Sequence, residues 1–315
     1  MNANVTIEPL GSGVAPGVLV SGLSRADIDD SSVCRQLREL WIDQGVIVFR
    51  GLSGTETHMA LSRVFGILTA HPSGVSRNAE HPELSDIHFR PGDANVVEIG
   101  GKALGAWLPW HSDLVYFAEI NRGGILRAIA PAPEGGCTGF IDQIAAYQRL
   151  PQCLKDKIEH LRVIYWGDFR MENARYGNVD RVISHSATGE AIIAKRDQFP
   201  RVSHPMVYVQ EETGRKVLNV SPWFAQRIEG MDNEEGLALL DEVVAHCTDE
   251  QYAYFHQWET EDMVLWDNWR VIHRATGVDP GATRIMQRTT ILGDYGVGRV
   301  VVDTPEAATL ERVSV

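Results

Sequence analysis

Two short segments of this 315-residue chain carry side chains that could hold a metal: Trp110-His111-Ser112-Asp113, and Trp266-Asp267-Asn268-Trp269-Arg270-Val271-Ile272-His273. The first sets an imidazole and a carboxylate two residues apart. On a strand, residues two apart face the same side, so His111 and Asp113 would point into one cavity. His273 would close the triangle from a distant strand. Two imidazoles and one carboxylate are the facial ligand set of a non-haem Fe(II) oxygenase, and they leave three metal positions for small molecules. Each imidazole must be neutral to bind, so the site should weaken in acid. Arg284 and Arg288 follow His273 at +11 and +15. Four apart on one strand, they share a face. Arginine suits an anionic co-substrate because it stays charged and grips a carboxylate through two parallel bonds. Taken alone, His-x-Asp is a weak motif, and with eleven histidines in the chain chance pairings are easy. A single strand histidine is more often packed or hydrogen-bonded than a ligand.

The elements that must carry these groups read as mostly strands. Residues 1–24 suggest short strands around Gly-rich turns. Residues 25–44 predict an amphipathic helix, with Ser24 as cap and Leu37, Leu40 and Trp41 at helical spacing; Gly45 ends it. Val46-Ile47-Val48-Phe49 is a continuous apolar run with β-branched residues, the mark of a buried strand. A second helix is expected from Gly54 to Phe65. Residues 71–105, rich in Pro, Gly, Asn, Asp and His, read as one long mobile loop at the site. Beyond 107, helices are expected near 142–160 and 233–247, and strands at 204–209, 216–220, 262–266 and 284–292. Glu212-Thr213-Gly214-Arg215 reads as a hairpin turn. Strands with a few flanking helices fit a single domain over 1–315, mainly β, a jelly roll with helices outside. Residues 303–315 read as a frayed tail.

Composition narrows the partners. The formal charge of −13, with no basic stripe, argues against nucleic acid and anionic membranes. A local arginine can still bind an anionic small molecule. No apolar run approaches the roughly 20 residues that span a bilayer. The N-terminus shows neither a basic n-region nor an apolar h-region, so no signal peptide is expected. Cys34, Cys137, Cys153 and Cys247 are scattered, without a Cys-x-x-Cys pair; they read as reduced thiols in a cytoplasmic protein. There is no Gly-x-Ser-x-Gly elbow and no Walker loop.

Over nearly its whole length the chain resembles the TauD/TfdA family, the taurine and 2,4-dichlorophenoxyacetate dioxygenase group of Fe(II)/2-oxoglutarate enzymes. The matching segments run in order: Gln44-Gly45-Val46-Ile47-Val48-Phe49-Arg50, Phe65 to Pro72, Trp110 to Asp113, and Pro133-Glu134-Gly135-Gly136-Cys137-Thr138. There follow His204-Pro205, Glu212 to Lys216, Trp266-Asp267-Asn268, His273, and Arg284 to Asp294. The resemblance implies a double-stranded β-helix, iron on His111, Asp113 and His273, and 2-oxoglutarate and O2 as co-substrates. It implies Arg284 and Thr138 as partners of the 2-oxoglutarate C5 carboxylate. Arg288 matches an arginine that grips the substrate sulfonate in taurine-acting members, with His71 beside it, so an anionic substrate group is implied. Arg288 could instead support the co-substrate pocket.

One departure bears on the substrate. Four residues before His111, taurine-acting members carry an asparagine; here stands Trp107, which offers apolar surface and a stacking plane. The stretch between His71 and His111 is also longer. Both features speak against taurine and for a bulkier aromatic or polycyclic acid. Tyr116, Phe117, Trp223 and Phe224 are further candidates for its walls, although core packing would equally explain each. His204-Pro205 reads as scaffold. Glu261-Asp262 and Glu234-Glu235 read as solvated turns or helix starts. The carboxylate of Asp113 argues against halogenation; hydroxylation is the default expectation, with ether cleavage where the hydroxyl lands beside an ether oxygen, and desaturation or epoxidation would use the same ligands. The rivals are a Zn(II) hydrolase on the same ligands and a non-catalytic jelly roll that binds a small acid. Relatives often self-associate, so a homo-oligomer is expected.

Overall fold

The computed structural model describes residues 5–11, 16–72, 76–92, 95–177 and 179–301; the tail expected to fray lies outside them. The apolar run 46–49 explains itself once placed. Val46–Arg50 lies inside an eight-stranded sheet, parallel to Val18–Ser21 and antiparallel to Met263–Asp267. Its alternate residues serve two cores. Ile47 and Phe49 meet the helices Ser31–Gln44 and Thr55–Phe65 through Leu37, Trp41, Leu61 and Phe65. Val46 and Val48 face the other way, onto Phe140, Val264 and Trp266. A strand covered on both sides has no polar face, so its sequence shows no alternation.

The large sheet continues through Gly123–Ala130 to Arg284–Ile291, whose outer side pairs with Leu68–Thr69 at one end and Leu84–Phe89 at the other. A second, six-stranded sheet runs in the order Arg181–Ser184, Val96–Ile99, Lys102–His111, Val271–Val278, Thr138–Asp142, Tyr254–His256, with antiparallel pairing throughout. Phe140 and Val271 of this sheet pack on Val46, Val48, Val264 and Trp266 of the large one. Two sheets meeting face to face, with helices outside, make the jelly roll that the strand-rich sequence predicts. A smaller four-stranded sheet around Arg162–Tyr165 and the helix Glu234–Cys247 close one flank over the largest apolar cluster. Among the described residues no helix is long and apolar enough to cross a membrane.

Several expectations shift in detail. The first helix starts at Ser31, capped by Asp30, whose carboxylate accepts from Ser32 N and Val33 N; Ser24 instead binds Asp27 in the preceding turn. The helical stretch near 142–160 is two helices, Gln143–Arg149 and Gln152–Ile158. Pro151 separates them, since the residue before a proline is pushed out of the helical region. Residues 71–105 do not form one long loop: they hold Leu84–Phe89, Val96–Ile99 and the first residues of Lys102–His111. Their Gly, Pro and Asn mark the turns between short strands. Of the pair read as a solvated turn, Glu261 lies in a turn and is partly exposed, but Asp262 is not solvated. Asp262 is buried and takes two bonds from Arg50 (2.9 and 2.8 Å), while Glu261 pairs with Arg127 at 2.7 Å. The strand Arg181–Ser184 and the helix Ala187–Ile193 have no counterpart in the sequence reading, because their short apolar runs carry no clear period.

Candidate active site

His111 and His273 stand opposite each other on neighbouring strands of the second sheet. The pairing slips just beyond them, from His273↔His111 to Ala275↔Leu108, so the His111 strand carries an extra residue there. Pro109 sits in that bulge, where a missing N–H does no harm. Its carbonyl lies 2.8 Å from His111 Nδ1. That contact puts the proton on Nδ1 and leaves the Nε2 lone pair for a metal.

Asp113 reaches the site differently from the expected strand alternation. The strand ends at His111, and the chain turns at Leu114, which adopts a φ of 58°. Asn268 fixes this turn: its side-chain oxygen accepts from Asp113 N at 2.7 Å and its NH2 donates to Asp113 O at 3.0 Å. Ser221 Oγ accepts from Ser112 N at 2.9 Å. The carboxylate so held lies with Oδ1 3.9 Å from His111 Nε2 and 3.8 Å from His273 Nε2. One ligand atom from each of the three residues lies within 4.8 Å of the others, and all three residues are buried. Asp113 Oδ2 has no hydrogen-bond partner.

The electrostatics keep every group in its ligating form. Burial alone would push the Asp113 carboxyl up, but Arg288, His273 and His111 together outweigh it and hold it well below the usual carboxylate range. Burial pushes His273 down to about 3, helped by His111, and also lowers His111. Both imidazoles are therefore neutral at neutral pH. A convergent N, N, O set with an unpaired buried carboxylate oxygen fits a divalent iron.

Arg284 stands on the opposing sheet, paired in register with Phe89. It is buried, and among the described residues no carboxylate or hydrogen-bond acceptor meets its guanidinium. Burial pushes it down to about 10, so it remains a cation at neutral pH. A buried, uncompensated charge of this kind is costly unless an anion joins it. The Gly135-Gly136 turn packs on it: both glycines have positive φ, and a Cβ at Gly136 would lie 3.5 Å from Arg284 Cδ and Nε. Two residues on, Thr138 Oγ accepts from Trp258 Nε1 at 3.1 Å. That bond leaves the hydroxyl hydrogen free to be donated. Both residues line the cavity that holds His111, Asp113 and His273.

This cavity, of about 390 Å³, is also lined by His71, Trp107 and Arg288. Arg288 donates from Nη1 to Asp113 Oδ1 at 3.0 Å, while its Nε and Nη2 are buried without partners. His71 is pushed down to about 4 by burial and by Arg288. Of the aromatic candidates, Tyr116, Trp223 and Phe224 line the cavity; Phe117 lies behind them, against Tyr116 at 4.8 Å. His204 is away from the ligands, its Nε2 on Phe117 O at 2.8 Å, as a scaffold residue would be. The sequence reading missed the roof: Phe169, Met171, Ser186, Ile192 and Ile193 line the same space. They come from the unanticipated 166–193 segment, whose scattered apolar residues stand among charged and polar ones and show no clear period.

A family model described as "Taurine catabolism dioxygenase TauD, TfdA family" matches residues 6–290. The chain is 32% identical over 296 residues to the alpha-ketoglutarate-dependent 2,4-dichlorophenoxyacetate dioxygenase of Burkholderia sp. (strain RASC), covering 91% of this chain and 93% of that one. It is 31% identical over 271 residues to the enzyme of the same name from Cupriavidus pinatubonensis (strain JMP 134 / LMG 1197), covering 84% and 90%. The solved structure of AAD-2 with Mn(II) and N-oxalylglycine superposes with a TM-score of 0.72 at 25% identity, over 94% of this chain and 100% of that one. Ligand geometry, buried arginine, fold and sequence agree: the chain belongs to the TauD/TfdA family of dioxygenases, enzymes that use Fe(II), 2-oxoglutarate and O2.

Proposed function

We propose that this dioxygenase hydroxylates an unactivated C–H of a small organic acid with an aromatic or polycyclic body. The observation that carries this is Arg288, with two buried unpaired donors, set in an apolar cavity walled by Trp107, Phe169, Trp223 and Phe224. A cationic point on a hydrocarbon surface suits an anion attached to a ring system. A small zwitterion would leave those walls unfilled.

In this reading His111, Asp113 and His273 hold the iron, and Arg284 with Thr138 anchors the far carboxylate of 2-oxoglutarate. Fe(II) with 2-oxoglutarate and O2 supplies an oxidant able to replace a C–H by C–OH, with one oxygen atom leaving in succinate and CO2 released. The protein's own part is positioning. Arg288 fixes the acid group, the aromatic walls fix the body, and the roof excludes water from the reacting carbon. Where the hydroxyl lands beside an ether oxygen, the product collapses and the ether is cleaved. The four free cysteines suit a cytoplasmic setting.

The test is substrate-stimulated succinate release across a panel of aryl, polycyclic and alkyl acids, with taurine included. Aromatic or polycyclic acids should stimulate most. Arg288→Ala should raise the KM for the best acid about tenfold or more, the loss of one charge-assisted contact, and change the KM for 2-oxoglutarate less. Preference for taurine, or equal effects on both constants, would overturn the proposal.

A further inference from the structure

Tyr116 is a polar group on a wall that otherwise offers carbon. Its ring is boxed by Phe117 at 4.8 Å, Phe224 at 4.9 Å, Phe169 at 5.0 Å and Phe199 at 5.4 Å between centroids. Four rings around one phenol leave it no room to swing away. The residue is 6% exposed and lines the cavity. Among the described residues nothing accepts from or donates to its hydroxyl. Burial pushes its phenol well above the ordinary tyrosine value, with Asp113 acting in the same sense, so the group stays protonated and can donate. Its hydroxyl oxygen is not fully enclosed by protein and keeps some exposure where the residue lines the cavity, and a phenylalanine would have served packing equally well. Arg288 lines the same cavity, so two polar residues border one space.

We propose that the Tyr116 hydroxyl is a specificity-determining donor that recognises an acceptor oxygen within the apolar body of the substrate, while Arg288 holds the acid group. The inference rests on the function proposed above. It narrows the substrate to acids that carry an ether or carbonyl oxygen in addition to the carboxylate. Selection follows from what is lost when the oxygen is absent: a methylene at that place leaves the hydroxyl buried and unpaired.

The experiment compares matched acids that differ by one atom: phenoxyacetate against 3-phenylpropionate, and naphthyloxyacetate against 3-naphthylpropionate. Binding to the anaerobic enzyme with Fe(II) and 2-oxoglutarate is read by calorimetry and by quenching of tryptophan fluorescence, so turnover is not required. The wild type should bind the oxygen member of each pair roughly tenfold more tightly. Tyr116→Phe should bind both members alike, with 2-oxoglutarate binding unchanged. No preference in the wild type, which needs no variant to fold, overturns the assignment, as does a preference that survives in Tyr116→Phe. If neither acid of either pair binds the wild type, the anionic aromatic reading falls and takes this inference with it. That outcome is distinct from equal binding, which removes the Tyr116 role alone.

Discussion

Asp113 is held by a residue 155 positions away: Asn268 bonds both its N–H and its carbonyl. The same side chain also donates to Asn121 O at 3.2 Å, so one amide ties the Asp113 turn to the segment that leads into the strand Gly123–Ala130. Asn268→Ala would leave the buried Asp113 N–H without its acceptor, at a cost of about 1–3 kcal/mol in stability. Because this contact orients a ligand, metal affinity should fall roughly 10–100-fold. Titration of the apo-protein with Fe(II) under anaerobic conditions checks this; wild-type affinity would contradict it. The candidate ligand residues were legible in the sequence only because His-x-Asp and the distant His fall in order among the other motifs of the family resemblance; the motif alone is weak. The means by which Asp113 arrives was not legible. Strand alternation seemed sufficient, yet the strand stops at His111 and a turn with positive φ at Leu114 does the work. Arg284 was legible as a cation, but its want of a counter-charge is a fact of the fold.

Between strands and helices, two histidines outside the active-site cavity tie stability to pH. His58 lies in the second helix, 0% exposed, with Nε2 on Ile125 O at 3.0 Å; His204 lies in Val202–Pro205, 1% exposed. Burial pushes both down to about 4 from the ordinary 6.5, against a smaller opposing effect of their carbonyl partners. The folded chain therefore keeps them neutral where the unfolded chain would protonate them. Stability from these groups is complete above about pH 6.5 and is lost as pH falls toward 4, at about 1.4 kcal/mol per pH unit for each. Melting of the apo-protein should shift down between pH 7 and pH 5; a flat profile over that window would refute the argument. Strands buried on both faces and the two N-terminal helices were readable from apolar runs and 3.6-residue spacing. The 71–105 stretch was not, because short strands separated by Gly and Pro turns look like a loop to composition. The roof helix Ala187–Ile193 escaped for a related reason: it buries none of its residues deeply and so shows no apolar stripe.

For the molecule as a whole, the site is where folding and ligand binding meet. Arg288, His273, His111 and His71 place four cationic or titratable groups around the one buried carboxylate of Asp113, and Arg284 adds a fifth to the same cavity, within a chain of formal charge −13. Metal and co-substrate should therefore stabilise the fold. At a hundred times its Kd, each ligand adds about 2.7 kcal/mol. In thermal melts, Mn(II) should raise the midpoint by a few degrees, and 2-oxoglutarate should raise it further once Mn(II) is present. Arg284→Ala should keep the first shift and lose the second, whereas His111→Ala should lose both. A second shift that survives in Arg284→Ala would remove that arginine from the co-substrate site. The fold class and the family were open to the sequence because ordered motifs run along the chain. The substrate was not, since the cavity draws on segments from His71 to Arg288 that only the closed fold brings together.

The two imidazole ligands stand on one sheet and Arg284 on the other, and what separates the sheets is hydrocarbon: Val46, Val48, Phe140, Val264 and Trp266. Packed sheets lie roughly 10 Å apart, and under the proposed function, with 2-oxoglutarate held between the metal and Arg284, that gap works as a gauge block for the co-substrate. A keto diacid one methylene too short or too long meets the metal ligands or the arginine, but not both in good geometry. Choice of keto acid is in this sense a property of the core. A methyl group gained or lost between the sheets, touching no polar atom of the site, would reset the length that the enzyme accepts.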